Sequence, residues 1–184
     1  MRSQIIILQG GEDVRKRTNV ELMRTVYDLS NKKKILVIPW TSESDSKEFE
    51  YRKIFKGYFS DSGFNEVTFL EKFESEIDIN NKISSVDVIY LPGGDPEILY
   101  REIKIRSIDS KLKDFKGIII GNSAGAIILS RGSVIEKRFF KGFGLINFYV
   151  FVHFNLSENQ NFIIEPNICI PENTWICIEQ ATRF

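Results

Sequence analysis

The chain has 184 residues, enough for one well-buried domain and short for two, and its 42% hydrophobic and 27% charged content is ordinary for a soluble globular protein. Its 25 basic and 25 acidic side chains cancel, which argues against nucleic acid or an anionic membrane as a partner. The longest aliphatic runs fall far short of a bilayer span, and the run at residues 5–8 leads into Gly10-Gly11 rather than a signal-cleavage site, so a cytoplasmic location is expected.

Gln4–Gln9 is a short aliphatic run of the kind that forms a central parallel strand. Thr18 and Glu21 have capping-box spacing, and behind them Leu22, Val26 and Leu29 repeat at the helical period. Residues 35–38 predict a second buried strand, stopped by Pro39. Tyr51, Ile54, Phe55, Tyr58 and Phe59 form an i, i+3, i+4, i+7, i+8 stripe, the clearest helix signal in the chain, with Gly63 placed to end it. Residues 66–70 alternate like a strand, and residues 86–91 predict another. Asp95-Pro96 reads as an N-cap followed by proline at the first helical position. A helical piece around 108–115 then leads to a strand over 117–121. Further on, 145–154 is strongly β-like, and 167–178 reads as a strand pair bent at Pro171. Such alternation predicts one α/β domain over residues 1–184: a three-layer sandwich with a mostly parallel central sheet covered by helices on both faces. Cys169 and Cys177 have neither metal-ligand spacing nor the density of a disulfide scaffold, which predicts two free thiols.

In parallel sheets ligands bind beyond the carboxyl ends of the strands, and two such ends carry unusual residues. The first is Gly121-Asn122-Ser123-Ala124-Gly125, set between the apolar runs 118–120 and 126–129. A serine between glycines at a strand-to-helix junction is the pattern of a nucleophile elbow, although a serine there can also merely cap the helix. A serine hydroxyl needs a base to attack, and the chain's one histidine, His153, ends a predicted strand downstream of Ser123. The second is Pro92-Gly93-Gly94-Asp95, which is either an ordinary βα turn or a place where backbone can approach a substrate. In the second case the Gly94 and Ala124 N–H groups form an oxyanion hole, in which one donor is worth roughly 3 kcal/mol. Residues 124–152 hold no aspartate and only Glu136 as an acid, which disfavours an α/β-hydrolase order of triad residues. The residues alone leave Glu136, Glu158, Glu165 and Glu172 level as candidates for a triad acid.

Together the blocks 91–95 (Leu-Pro-Gly-Gly-Asp), 120–126 (Ile-Gly-Asn-Ser-Ala-Gly-Ala), His153-Phe154 and 170–176 (Ile-Pro-Glu-Asn-Thr-Trp-Ile) resemble the family of serine peptidases that contains dipeptidase E (aspartyl dipeptidase) and cyanophycinase. The resemblance covers nearly the whole chain and implies a class I glutamine amidotransferase-like fold. It implies Ser123 as nucleophile, His153 as general base and later acid, and Glu172 as the triad carboxylate that orients His153. Gly94 and Ala124 match the oxyanion-hole backbone, with Gly93 and Asp95 beside them as further substrate-binding candidates. No metal and no cofactor is implied; the expected partner is a small peptide, and a homodimer is left open. An amidotransferase role is disfavoured because glutaminases of this fold use a cysteine where residue 123 is serine.

The chain also departs from the family pattern. Asp95 stands where asparagine is common, Val152 where proline is common, and the chain stops soon after Trp175. The segment between His153 and Glu172 is short and holds no arginine or lysine, whereas aspartyl dipeptidase reads its substrate's carboxylate there with an arginine. No preference for N-terminal aspartate is therefore expected, with Arg131, Lys137 and Arg138 as the cations to consider otherwise, and with Asp95 a candidate partner for a peptide ammonium. The competing expectation is a catalytically inactive or repurposed binding module on the same fold.

Overall fold

The computed structural model describes residues 3–155 and 164–180. In chain order the first elements are β1 (Gln4–Gln9), α1 (Val20–Leu29), β2 (Lys34–Val37), α2 (Asp45–Asp61), β3 (Glu66–Phe69), α3 (Glu76–Ser85), β4 (Val88–Leu91), α4 (Pro96–Ile105) and α5 (Ile108–Asp114). They are followed by β5 (Ile118–Asn122), α6 (Ala124–Leu129), β6 (Gly132–Ile135), β7 (Arg138–Lys141), β8 (Tyr149–Val152), β9 (Asn167–Ile170) and β10 (Trp175–Gln180).

The central sheet has six strands in the order β10-β1-β5-β4-β2-β3. Five run parallel, and β10 closes one edge antiparallel to β1. The two-residue period of the strands divides their side chains between two cores. Ile6, Leu8, Leu36, Ile38, Ile89, Leu91 and Ile119 pack on one face, against α3, α4, α5 and α6. Their neighbours Ile7, Ile35, Val37, Val88, Tyr90, Ile118 and Ile120 pack on the other, against α1 and α2. Both faces of the parallel strands are thus dry, which is why they read as continuous aliphatic runs. The result is a mixed α/β fold with a mostly parallel sheet flanked by helices.

Several local features differ from the sequence reading for identifiable reasons. The Thr18–Glu21 capping box does not form: the Thr18 hydroxyl accepts from the Asp13 N–H at 3.2 Å, and Glu21 pairs with Arg24 at 2.7 Å. Helix α1 starts one residue later than that box requires, and the Asn19 N–H donates to the buried side of Glu12 at 3.3 Å. Met23 rather than Leu29 completes its buried face, and Leu29 is 54% exposed. Only four residues of the β-like run 145–154 form a strand. The bend at Pro171 separates two strands as expected, but they do not pair with each other: β9 lies parallel to β8, while β10 joins the central sheet. Helix α3 and the β6–β7 hairpin have no counterpart in the sequence reading. Cys169 and Cys177 are both free and exposed. Among the described residues, no helix is long and apolar enough to cross a membrane.

Helix α6 runs unusually close to the sheet. A methyl group added at Gly125 would lie 2.2 Å from the Leu91 carbonyl oxygen of β4, and one at Gly121 would lie 2.6 Å from the Gly125 backbone. These obstacles are backbone atoms and cannot rotate away. Overpacking of this kind costs about 1–3 kcal/mol or more. Gly125→Ala should therefore lower the unfolding free energy by at least ~2 kcal/mol in a urea titration. Unchanged stability would show that α6 can lift off the sheet freely.

Candidate active site

Ser123 stands between β5 and α6 with φ 46° and ψ −102°, in a left-handed region that a serine seldom occupies. Such a conformation costs on the order of 1–3 kcal/mol and persists only where the surroundings impose it. Here three backbone hydrogen bonds do so. The Ser123 N–H donates to the Gln9 carbonyl of β1 at 3.0 Å, the Gly125 N–H to Pro92 at 3.3 Å, and the Ile127 N–H back to the Ser123 carbonyl at 3.0 Å. The two elbow glycines let the helix turn back over the strand without collision. The turn projects the Ser123 hydroxyl toward His153, with Oγ 2.8 Å from Nε2.

His153 follows the last residue of β8 and is itself left-handed, at φ 51°. Its N–H donates to the Gly10 carbonyl at 2.7 Å, and the next N–H, of Phe154, donates to Ile170 of β9 at 3.2 Å. Its Nδ1 lies 2.7 Å from Glu172 Oε1. An ionised carboxylate can only accept, so Nδ1 carries the hydrogen and Nε2 is left to accept from the Ser123 hydroxyl. Glu172 sits in the turn between β9 and β10, which is strapped to the end of β1: the Gly10 N–H donates to Thr174 at 3.1 Å and the Asn173 N–H to Gly11 at 2.9 Å. The histidine and glutamate side chains are 49% and 61% exposed, so the row of three opens to solvent.

Gly10 and Gly11 hold this arrangement together, a role that sequence reading assigned only to the end of a strand. A methyl at Gly10 would meet the Ile170 and Pro171 carbonyl oxygens at 2.2 Å. One at Gly11, where φ is 153°, would stand 2.4 Å from His153 Cε1 and 3.2 Å from Glu172 Oε1. The imidazole therefore packs closely against bare backbone.

Gly93 and Gly94 approach the serine from β4. A methyl at Gly93 would lie 3.4 Å from Ser123 Cβ, and Gly94 has φ 133° with its α-carbon close against Thr41. Among the described residues, neither the Gly94 nor the Ala124 N–H has an acceptor. Asp95 is used differently from the expectation. Its Oδ1 accepts from the Glu97 and Ile98 N–H groups at 2.8 and 3.1 Å, capping α4, and its side chain does not line the cleft in front of Ser123. It is a poor partner for a peptide ammonium.

That cleft has a volume of about 780 Å³. Arg131, Lys137 and Arg138 are absent from its wall: the Arg131 guanidinium covers the Tyr149 ring, and the other two lie in the β6–β7 hairpin. The cations in the cleft are instead Arg15, which is paired with Glu50 at 2.7 Å, and Lys47. Of the other acids considered, Glu136 is in the hairpin turn, Glu165 precedes β9, and Glu158 lies outside the described residues. Among the described residues no group of three or more His, Cys, Asp and Glu side chains converges as a metal site requires.

Sequence reading also passed over Glu12, directly after Gly11. Its carboxylate accepts from the Tyr58 hydroxyl, from Gln9 Nε2 at 3.1 Å and from the Asn19 N–H at 3.3 Å. Burial raises its pKa above the ordinary value, outweighing these three hydrogen bonds, which pull the other way. The Tyr58 hydroxyl is pushed up as well, by burial first and by the neighbouring Glu12 second.

Comparison with known proteins places this geometry in a family context. The family model described as "Peptidase family S51" matches residues 5–182. A putative peptidase E protein from Listeria monocytogenes EGD-e has a similar structure, with a TM-score of 0.73 at 21% identity over 96% of this chain and 95% of that one. So does a peptidase from an acI-B1 Actinobacterium, with a TM-score of 0.71 at 20% identity over 96% of this chain and 84% of that one. At such identities these two establish likeness of fold. No curated protein matches the chain significantly.

The raised pKa of Glu12 has a consequence for stability. A carboxyl whose folded value exceeds its unfolded value stabilises the fold when protonated. That contribution is complete below the ordinary value of 4.5 and is lost as pH rises through the raised one. Glu12→Gln removes the buried charge but keeps an acceptor for Tyr58, and Gln9 can flip its amide to accept from the new one. The variant should melt about 2–4 °C above wild type at pH 8, and the gap should close as pH falls to 4. A gap independent of pH, measured by thermal unfolding, would contradict this.

Proposed function

The chain belongs to peptidase family S51, and from that premise we propose that it is a serine peptidase that hydrolyses short peptides through an acyl-enzyme, using Ser123, His153 and Glu172. The observation that carries the reading is the continuous row of hydrogen bonds from Ser123 Oγ to His153 Nε2, at 2.8 Å, and from Nδ1 to Glu172, at 2.7 Å. The three residues come from the ends of three separate parts of the fold, and both Ser123 and His153 hold backbone angles that favour glycine. Such strain persists where a functional geometry has a use for it.

In this reading Ser123 Oγ attacks the scissile carbonyl while His153 Nε2 takes the hydroxyl proton. Glu172 holds the imidazole in the Nδ1–H tautomer and stabilises the imidazolium that forms. The carbonyl oxygen, becoming an oxyanion, turns toward the unpaired N–H groups of Gly94 and Ala124. His153 then returns its proton to the leaving amine. Water repeats the sequence on the acyl-enzyme, with His153 as base and Ser123 as leaving group.

The cleft disfavours an anionic first residue. Glu12, Asp13, Glu48, Glu50 and Glu172 outnumber Arg15 and Lys47, and Arg15 is already held by Glu50. An acidic side chain finds no free guanidinium here to receive it in bidentate fashion. Dipeptides with a neutral first residue are therefore the preferred substrates in this account.

Two measurements test the proposal. Ser123→Ala and His153→Ala should each lower kcat/KM on an alanyl dipeptide by about 10⁴-fold or more, and the double variant should be no worse than either single one, because the residues act as a unit. Glu172→Gln should cost about 10²–10⁴-fold by allowing the wrong tautomer. Additive losses would dissolve the triad. In a panel varying only the first residue, aspartate should be turned over no faster than alanine; a strong aspartate preference would show that Arg15 or Lys47 is freed to bind it.

A further inference from the structure

The acidic groups of the cleft differ in one respect. Glu48 is paired with Arg52 at 2.7 Å and with Lys72 at 3.6 Å, Glu50 with Arg15 at 2.7 Å, and Asp13 with Lys16 at 3.1 Å. Glu172 has His153. Apart from Glu172, whose partner is the His153 ring, Glu12 alone among the described cleft carboxylates has no ion-pair partner: its donors are a phenol, an amide side chain and a backbone N–H. A half-buried carboxylate satisfied only by neutral donors is a costly thing to keep in a fold.

Its surroundings are short of donors in the same place. Gln9, which is fully buried and gives its Nε2 hydrogen to Glu12 Oε2, has an Oε1 with no partner. Asn122 is 3% exposed, lines the cleft next to Ser123, and has an Oδ1 with no partner. Two donors reach Glu12 Oε1, but only one reaches Oε2, so that oxygen can accept more. This acceptor-rich corner begins one residue after Gly11, whose α-carbon lies against the His153 ring. It shares the cleft wall with Ser123.

We propose that Glu12 is the acceptor for the free α-ammonium of the peptide substrate, making this protein selective for the unblocked amino terminus. The inference rests on the serine peptidase reading of the same cleft. In a peptide whose first carbonyl is attacked, the α-nitrogen is separated from that carbonyl carbon by a single carbon. Its binding group must therefore share the cleft with the nucleophile, as Glu12 does, one residue after the glycine pair that seats His153. The ammonium supplies the positive charge and the hydrogens that this corner lacks. An N-acetylated peptide supplies no charge and a single amide N–H, and leaves the carboxylate without a counter-ion. A site built for a polar group rejects the analogue lacking it far more strongly than an apolar pocket rejects a change of size. Unlike the capping carboxylate of Asp95, Glu12 lines the cleft that holds Ser123.

The test compares kcat/KM for alanyl-p-nitroanilide with that for its N-acetyl derivative, in wild type and in Glu12→Gln. Wild type should favour the free amine by about 100-fold or more, and the variant should reduce that ratio at least tenfold. A ratio unchanged by the substitution, or equal loss on both substrates, would assign Glu12 a purely structural role and overturn the inference. Should the variant not fold, wild type decides: comparable turnover of the acetylated substrate overturns the inference, and at least 100-fold selectivity supports it. Labelling of wild type by a fluorophosphonate tests the premise separately. A protein that is not labelled loses the serine peptidase reading and the ammonium site with it, whereas labelling at Ser123 without amine selectivity removes the ammonium site alone.

Discussion

The contact between the bare backbone of Gly10-Gly11 and the His153 ring is the constraint from which the rest of the site follows. Strand β1 leaves the middle of the sheet and ends in two residues without side chains, into whose space the imidazole, the Glu172 carboxylate and the turn at Pro171 all press. Four backbone hydrogen bonds fasten this junction: His153 to Gly10, Gly10 to Thr174, Asn173 to Gly11, and, from the residue just before the pair, Ser123 to Gln9. One short stretch of chain therefore sets the position of all three proposed triad residues. The histidine is oriented by backbone as much as by its carboxylate partner. This explains how a group that is half exposed can be held at hydrogen-bonding distance on both sides.

The same junction carries two features that are unfavourable in themselves. Ser123 is held at φ 46° by its own hydrogen bonds to Gln9 of β1 and Ile127 of α6 and by that of Gly125 to Pro92, and Glu12 is held half-buried without a counter-ion. Neither makes the fold more stable. Both sit at the carboxyl end of the parallel strands, where an α/β sheet binds its ligands. The ordinary elements around them are what make these features tolerable: two dry cores, side-chain caps on α2, α3 and α4, and strands buried on both faces. A stable scaffold surrounding a locally unfavourable corner is the expected signature of a working cleft.

What could be read from sequence divides along the line between local and non-local causes. The parallel strands and α2 were legible because their periodicities are local, and so was the elbow, whose glycines and serine lie within five residues. His153 stood out as the single histidine. Glu172 did not stand out on its residues, because its placement depends on β9 and β10 joining different sheets, and only family resemblance separated it from Glu136, Glu158 and Glu165. Helix α3 was hidden by its composition: only Ile79 and Ile83 are buried, while Ile77 is 71% exposed. The β6–β7 hairpin turns on Glu136 and Lys137, both left-handed, with neither the glycine nor the asparagine that would announce such a turn. The importance of Gly10 and Gly11 arises from contacts with residues more than a hundred positions away, and that of Glu12 from Tyr58, 46 positions further along the chain. Asp95 shows the converse, since its local signal as a helix cap describes what its side chain does.

The central claim is that Ser123 forms a covalent acyl intermediate under the control of His153. Its most direct test is rapid quenching of the protein with an activated amino-acid ester, followed by intact mass measurement and peptide mapping. The account predicts a mass increase of one acyl group, located on the peptide containing Ser123 and absent when His153 is replaced by alanine. An adduct on Cys169 or Cys177 instead, or steady turnover with no adduct at any quench time and no burst of released alcohol, would contradict it.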